Sequence, residues 1–369
     1  MTRFGAVGVV GAGTMGAGIA EVAARAGLPV VLRELDQALL ERGFGRLEAS
    51  LDRAVERGKL PASERDEVRG RVRGTTELDA LGGCDLVVEA ASEDLDVKLA
   101  LFAELDQLLK PEAVLATNTS SLPVGRLGAV TGRPERVIGL HFFNPAPVMR
   151  LVEVVRTVRT APEVVAAAVV ELAARLGKTP VLVGDRAGFV VNRLLCPFLN
   201  HAALLLDQGA APRDAIDAEV TAQLGHPMGP FQLMDLIGLD VMVAVMDAIW
   251  AESRDPRHAA APVLRELAAA GMLGRKSGAG FHGDPGVPGH DGWLGAPGVV
   301  RALVAGYLAD VAAMVGSGFA RPADVEMAMK LGCGHPEGPT ELLDRLGDRA
   351  VALDRHDAAL VRYGLDRLR

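Results

Sequence analysis

Apolar runs of strand length alternate with stretches of helical spacing along the first half of the chain. Ala6-Val7-Gly8-Val9-Val10 is the first run. It opens into Gly11-Ala12-Gly13-Thr14-Met15-Gly16 and an alanine-rich stretch from about Ala17 to Ala26, closed by Gly27. Val30-Val31-Leu32 follows as a second strand, ending on Arg33-Glu34. Asp85-Leu86-Val87-Val88-Glu89 reads as another strand, Leu95 to Leu109 as a helix, and Val114-Leu115-Ala116-Thr117 as a strand again. Val137-Ile138-Gly139-Leu140 and the valine-rich Leu151-Val152-Glu153-Val154-Val155 continue the series. This alternation predicts an α/β domain on a parallel, doubly wound sheet. After Asn192 the spacing turns helical: Leu194 to Leu206, Ala215 to Leu224, then Leu239 to Trp250.

The helical half repeats itself. Gly225-His226-Pro227-Met228-Gly229-Pro230 recurs as Gly334-His335-Pro336-Glu337-Gly338-Pro339, and Asp235 and Gly238 recur as Asp344 and Gly347, at one offset of 109 without gaps. Asn192 then maps to Arg301, so the second copy is expected to be structural and degenerate. His226 and His335 are expected to share a structural role. A Gly/Pro-rich stretch, 283–298, reads as a linker. The expected organisation is therefore a dinucleotide-binding domain over 1–185, a helical domain over 186–282, the linker, and a second helical copy over 299–369.

Composition narrows the function classes. Of 369 residues, 49% are hydrophobic and 23% charged, as in an ordinary globular protein with large cores. The net charge of −8 argues against nucleic acid or an anionic membrane as partner. Cys84, Cys196 and Cys333 lie far apart without metal-ligand spacing, which predicts no metal site, no disulfide framework and a reducing compartment. Gly5 to Ala20 is uncharged but glycine-rich and runs into Glu21 and Arg25 of a helical pattern. It reads as a strand plus a turn rather than a signal peptide, and a cytoplasmic location is expected.

Gly11, Gly13 and Gly16 form the G-x-G-x-x-G fingerprint between a strand and a helix, which predicts a Rossmann-type dinucleotide site. Gly11 permits the tight turn, Gly13 lets the backbone approach a pyrophosphate, and Gly16 lets helix and strand pack closely. The pyrophosphate then faces the helix N-terminus. Glu34, eighteen residues past Gly16, stands where an acid accepts bonds from ribose hydroxyls, favouring NAD over NADP. Arg33 beside it is the residue that would serve a 2′-phosphate instead.

Two groups of polar residues stand at strand ends, where open α/β sheets place ligands. Thr117 delivers Asn118-Thr119-Ser120-Ser121; Ser121 reads as a helix N-cap, which leaves Ser120 for a ligand. His141 follows an apolar run, and Glu153, twelve residues on, lies inside another and needs a partner. They read either as a general base with its orienting carboxylate or as a core histidine and an edge-strand acid. Arg42, Arg46, Ser50, Arg53 and Arg57 recur at helical spacing as a basic stripe. That stripe is either an anion site or a solvated face paired to Glu41, Glu48, Asp52 and Glu56.

Taken in order, these motifs carry a resemblance. Gly11 to Ala20, Asp85 to Ala90, Asn118-Thr119-Ser120-Ser121-Leu122, His141-Phe142-Phe143-Asn144-Pro145, Ala187-Gly188-Phe189-Val190-Val191-Asn192-Arg193 and His226 to Phe231 closely resemble the L-3-hydroxyacyl-CoA dehydrogenase family, over about residues 4–282. The family includes the 3-hydroxybutyryl-CoA dehydrogenases. The resemblance implies NAD-dependent oxidation of a short- or medium-chain L-3-hydroxyacyl-CoA to the 3-ketoacyl-CoA, or the reverse, in fatty acid β-oxidation or related acyl-CoA catabolism. It implies that His141 takes the 3-hydroxyl proton and that Glu153 orients it. It assigns Ser120 and Asn192 to the substrate's oxygen and Asn144 to the nicotinamide. Thr14 and Met15 of the glycine loop, Glu93, Lys98, Ser120 and Lys276 fall among its cofactor contacts. It places coenzyme A near the basic helix, with Ser50 and Lys59 as contacts. Because single-copy relatives dimerise through the helical domain, the second copy is expected to act as an internal pseudo-dimer partner in a monomer or homodimer. Ala187 replaces the family's usual proline, so the turn before Asn192 is expected to be looser. The alternatives are a related dehydrogenase acting on a free hydroxy acid such as gulonate or carnitine, and a non-catalytic NAD-binding protein. Phe142-Phe143 and the basic helix favour a thioester, and the intact set of His141, Glu153, Ser120 and Asn192 favours catalysis.

Overall fold

In the computed structural model, which describes residues 4–283 and 294–346, the apolar runs of the first half line up as one eight-stranded sheet. Its strands are Val7–Val10 (β1), Val30–Arg33 (β2), Val72–Thr75 (β3), Leu86–Glu89 (β4), Val114–Thr117 (β5), Val137–Phe142 (β6), Leu151–Arg156 (β7) and Thr179–Gly184 (β8). The order is β3-β2-β1-β4-β5-β6-β7-β8. The first six are parallel; β7 runs antiparallel to β6, and β8 runs parallel to β7. Two strands of opposite direction thus extend the expected parallel sheet. Every residue of β1, β4, β5 and β6 is buried, which is why they read as unbroken apolar runs. The outer strands β3 and β8 are half-buried and mixed in sequence, so they carry no such signal.

Helices Thr14–Arg25 (α1), Gln37–Glu56 (α2), Ala62–Gly70 (α3), Leu95–Leu108 (α4), Val124–Ala129 (α5) and Pro162–Ala174 (α6) belong to this unit, which ends at Asp185. Asp36 and Asp94 cap α2 and α4, accepting from Leu39 N at 2.7 Å and Val97 N at 3.0 Å. The expected cap at Ser121 is corrected. α5 starts only after Pro123, and its first N–H groups, Val124 and Gly125, donate to the Asp185 carboxylate at 2.9 and 2.6 Å. Thr119 Oγ1 instead accepts from Leu122 N at 3.0 Å.

The second unit begins at Arg186. It contains Val191–Asp207 (α7), Arg213–Leu224 (α8), Pro230–Ile237 (α9), Leu239–Ser253 (α10), Pro262–Ala269 (α11), Ala296–Gly316 (α12), Pro322–Cys333 (α13) and Pro339–Leu346 (α14). The pairs α8/α13 and α9/α14 correspond residue for residue at the offset of the repeat. One device recurs in both copies. Asp217 accepts from Phe231 N, and Glu326 from Thr340 N, each at 2.9 Å, so an acid on one helix holds the start of the next. Gly229 and Gly338 leave the space for that acid, because a Cβ there would fall 2.3 and 2.1 Å from its oxygens.

α12 packs on α7 and α8. The repeated histidines meet: His226 and His335 stack with ring centroids 3.8 Å apart at 11°. The expected linker is corrected at its end, since α12 already begins at Ala296. Residues 284–293, the rest of the linker except its margins, and 347–369 of the second copy lie outside the described residues. α12 is long and apolar enough by composition to cross a membrane, yet half of that stretch is buried inside the protein.

Candidate active site

The glycine loop has the geometry its sequence implies. Gly11 has φ of +96°, and a Cβ there would meet Ala90 O at 2.6 Å. A Cβ on Gly16 would stand 1.8 Å from Gly11 O, so α1 reaches the strand only because position 16 lacks one. Nothing lies within 4 Å of a Cβ on Gly13, which leaves open space at the start of α1. Thr14 and Met15 form the first residues of α1. Glu34 follows β2, and its carboxylate accepts from Ala12 N and Leu35 N, each at 2.7 Å. It is therefore fixed against the loop. Arg33 Nε donates to Thr76 O at 3.3 Å, away from that contact.

At the same carboxyl edge of the parallel strands, His141 and Glu153 are direct partners across the antiparallel β6–β7 ladder. His141 Nδ1 lies 2.7 Å from Glu153 Oε2; the histidine is 7% exposed and the glutamate 0%. The Phe143 ring packs 4.5 Å from the imidazole. Asn118, at the end of β5, accepts from Phe142 N at 2.8 Å and ties the histidine strand to its neighbour. The reading of Glu153 on an edge strand is corrected, because β8 covers β7.

Glu93 gathers the serine turn: its Oε1 accepts from Thr119 Oγ1 at 2.5 Å, Ser120 N at 3.1 Å and Ser121 Oγ at 3.4 Å. Lys98 is 1% exposed; its ammonium bonds Glu89 at 2.6 Å and lies 3.4 Å from Glu93. Glu89 also accepts from Thr117 Oγ1 and Ala91 N, each at 2.7 Å. Burial commits Lys98 to these carboxylates, so it supports Glu93 and Ser120 from behind. Glu89 escaped the sequence reading, since a glutamate at a strand end carries no local sign of a buried counter-ion.

The basic stripe lines a groove of about 560 Å³. Arg42, Arg46, Ser50 and Arg53 of α2 face Thr14, Gly18 and Glu21 of α1 and the segment Asn144–Pro147 across it. The expected acid partners are corrected. Glu48 pairs with Arg69 and Asp52 with Arg65, both of α3, and among the described residues no ion pair joins Arg42, Arg46 or Arg53 to a carboxylate. Arg57 and Lys59 lie past the end of the groove lining; the Lys59 carbonyl accepts from Arg25 at 2.8 Å. Glu21 is wholly buried, and that burial raises its carboxyl pKa.

Two residues expected at the site stand on the second unit. Asn192 lies in the first turn of α7. Lys276 lies in an exposed turn and pairs with Asp240 at 2.5 Å. The looser turn expected from Ala187 is not found. Ala187 N donates to Glu252 at 2.7 Å, a bond proline could not make, and Arg193 returns a bond to Ala187 O at 3.0 Å.

Comparisons with known proteins identify the family. Residues 6–186 match the family 3-hydroxyacyl-CoA dehydrogenase, NAD binding domain, and residues 188–283 and 299–356 match the 3-hydroxyacyl-CoA dehydrogenase, C-terminal domain. A 3-hydroxybutyryl-CoA dehydrogenase of Mycobacterium tuberculosis is 49% identical over 278 residues, 75% of this chain and 97% of the relative. The 3-hydroxyadipyl-CoA dehydrogenase of Escherichia coli K12 is 45% identical over 286 residues, 76% of this chain and 59% of the relative. The crystal structure of 3-hydroxybutyryl-CoA dehydrogenase from Escherichia coli K12 matches with a TM-score of 0.89 at 32% identity, covering 100% of this chain and 97% of that one. The chain belongs to the 3-hydroxyacyl-CoA dehydrogenase family. It is an NAD-dependent oxidoreductase acting on 3-hydroxyacyl-CoA.

Proposed function

We propose that the chain interconverts short- or medium-chain L-3-hydroxyacyl-CoA, 3-hydroxybutyryl-CoA among them, with the 3-ketoacyl-CoA, using His141 as the acid–base. The observation that carries this is the 2.7 Å contact between His141 Nδ1 and the wholly buried Glu153. A carboxylate on Nδ1 fixes the tautomer and compensates the imidazolium, so Nε2 is the atom assigned to exchange the substrate's proton. NAD, when bound, supplies the hydride acceptor. Ser120, held through its backbone by Glu93, is assigned to the substrate's oxygen. Asn192 and Lys276 carry their substrate and cofactor roles from the family resemblance alone. Asn144 is assigned to the nicotinamide on the same basis, and Thr14, Met15 and Glu34 to the dinucleotide.

The groove beside α2 supports coenzyme A as the substrate's handle. Arg42, Arg46 and Arg53, which among the described residues form no ion pair with a carboxylate, suit phosphate, and Ser50 lies among them beside Glu21. Lys59 is the weaker assignment, being outside the groove lining. The pathway we assign is acyl-CoA catabolism of the β-oxidation type, in the cytoplasm, without nucleic acid or membrane partners. The charge of −8 and the separated cysteines support that setting. The packing of α12 on α7 and α8 supports an internal pseudo-dimer, and light scattering showing an obligate tetramer would oppose it. The deciding assay is loss of NADH absorbance with acetoacetyl-CoA, beside NADPH and free acetoacetate. Turnover with NADH and the thioester alone is expected. Turnover of the free acid instead would replace this reading.

A further inference from the structure

Lys178 immediately precedes β8 and is 8% exposed. Its ammonium donates to two backbone carbonyls, Ala146 O at 2.6 Å and Met149 O at 2.8 Å. Both belong to the segment Asn144–Met149 that leaves the histidine strand. That segment carries Asn144, and its residues 144–147 form one wall of the arginine-lined groove.

The opposite side of the segment rests on α1. A Cβ on Gly18 would lie 3.2 Å from both Ala146 Cβ and Pro147 Cδ, inside ordinary contact distance, so the segment packs closely on α1. The segment also folds on itself, with Val148 N and Met149 N donating to Pro145 O at 3.0 and 2.9 Å. Its height above α1 is therefore set by two contacts, Gly18 beneath and Lys178 behind. Asn144–Met149 contains no ionisable side chain. The charged groups facing Lys178 are Glu21 and Arg25 of α1, themselves paired at 3.4 Å, while Glu171 and Arg175 near α6 pair with each other.

Holding a cation here is costly. Burial, aided by Arg25, pulls the Lys178 pKa down to about 8. An apolar side chain of similar length fills such a space without that cost. What only a donor achieves is to satisfy two carbonyls at once and so fix the segment.

We propose that Lys178 is a positioning residue for the reaction, setting through Ala146 and Met149 where Asn144 and the groove wall meet the nicotinamide and the acyl-CoA. This deepens the function proposed above and rests on its assignment of Asn144 and the groove. Its signature is a loss of binding on both ligands from one residue that touches neither.

The test compares full-length wild type with Lys178→Met, Lys178→Gln and Lys178→Arg, by steady-state kinetics on NADH and acetoacetyl-CoA, NADH titration and thermal melts. Lys178→Met is expected to raise both KM values roughly tenfold, with kcat falling less, the size of two lost carbonyl bonds. Lys178→Arg, which keeps a cationic donor, is expected to recover most of that loss. Lys178→Gln, the milder change should the methionine variant fail to fold, is expected to fall between. If the variants melt earlier but leave both KM values and NADH affinity unchanged, Lys178 serves stability only and the proposal is overturned. If wild type itself does not reduce acetoacetyl-CoA, the functional reading fails, and unchanged NADH affinity in Lys178→Met still decides against the positioning role.

Discussion

Glu153 faces His141 directly across the β6–β7 ladder, with Oε2 2.7 Å from Nδ1. Strand side chains alternate faces, so a slip of one residue would turn Glu153 to the other side of the sheet. The register of one antiparallel pair therefore holds the couple together. Glu153→Gln preserves shape but lets the amide donate to Nδ1 and stabilise the wrong tautomer. kcat should fall by about 10²-fold with KM nearly unchanged, as when a positioned base loses its function. Steady-state kinetics on acetoacetyl-CoA checks this, and a variant retaining wild-type kcat would count against Glu153.

Arg42 and Arg53 line the groove, and among the described residues neither forms an ion pair with a carboxylate. Replacing both by alanine should raise KM for acetoacetyl-CoA at least tenfold while leaving acetoacetyl-pantetheine, which lacks the nucleotide phosphates, unaffected. Equal losses on the two thioesters would show that the arginines do not read phosphate.

Glu34 is pinned by Ala12 N and Leu35 N at the dinucleotide loop. A 2′-phosphate brought there meets a fixed negative charge, so kcat/KM with NADPH should lie well below that with NADH. Glu34→Ser should narrow the gap mainly by weakening NADH. Comparable use of both cofactors by wild type would contradict this role.

Among the described residues, burial lowers the pKa of three histidines of the helical unit: His201 and His226 to about 4, and His335 to about 3, the last aided by the adjacent His226. Above pH 6.5 they are neutral in both folded and unfolded chains, and they contribute no pH dependence. Below it the unfolded chain takes up protons that the folded one refuses, so stability falls with acid. The slope approaches roughly 1.4 kcal/mol per histidine per pH unit, down to about pH 4. Urea unfolding between pH 7 and pH 5 measures it. His226→Asn combined with His335→Asn should flatten the slope, and an unchanged slope would exclude the stacked pair as its source.

What was legible in the sequence was local or repeated. The glycine fingerprint, the buried strands and the 109-residue repeat each announce themselves through spacing, and Glu153 through its own implausible surroundings. What was illegible depends on which elements pack against one another. Asp185 caps a helix some sixty residues earlier, and Lys98 hides its charge on Glu89 from another element. Two of the acids beside the basic stripe, Glu48 and Asp52, pair with α3 and leave the arginines for the groove. Ala187 lacks a proline's constraint, and a bond from its N–H to Glu252, distant in sequence, takes that place.

The most direct measurement is acetoacetyl-CoA reduction by His141→Ala, run with NADH titration of the same preparation. His141 is buried beside Glu153, so a melt confirms that the variant is folded. Loss of turnover by at least 10²-fold with NADH affinity retained is the expected result for a proton-transfer residue. Turnover near the wild-type rate in that variant would contradict the assignment of His141 as the acid–base.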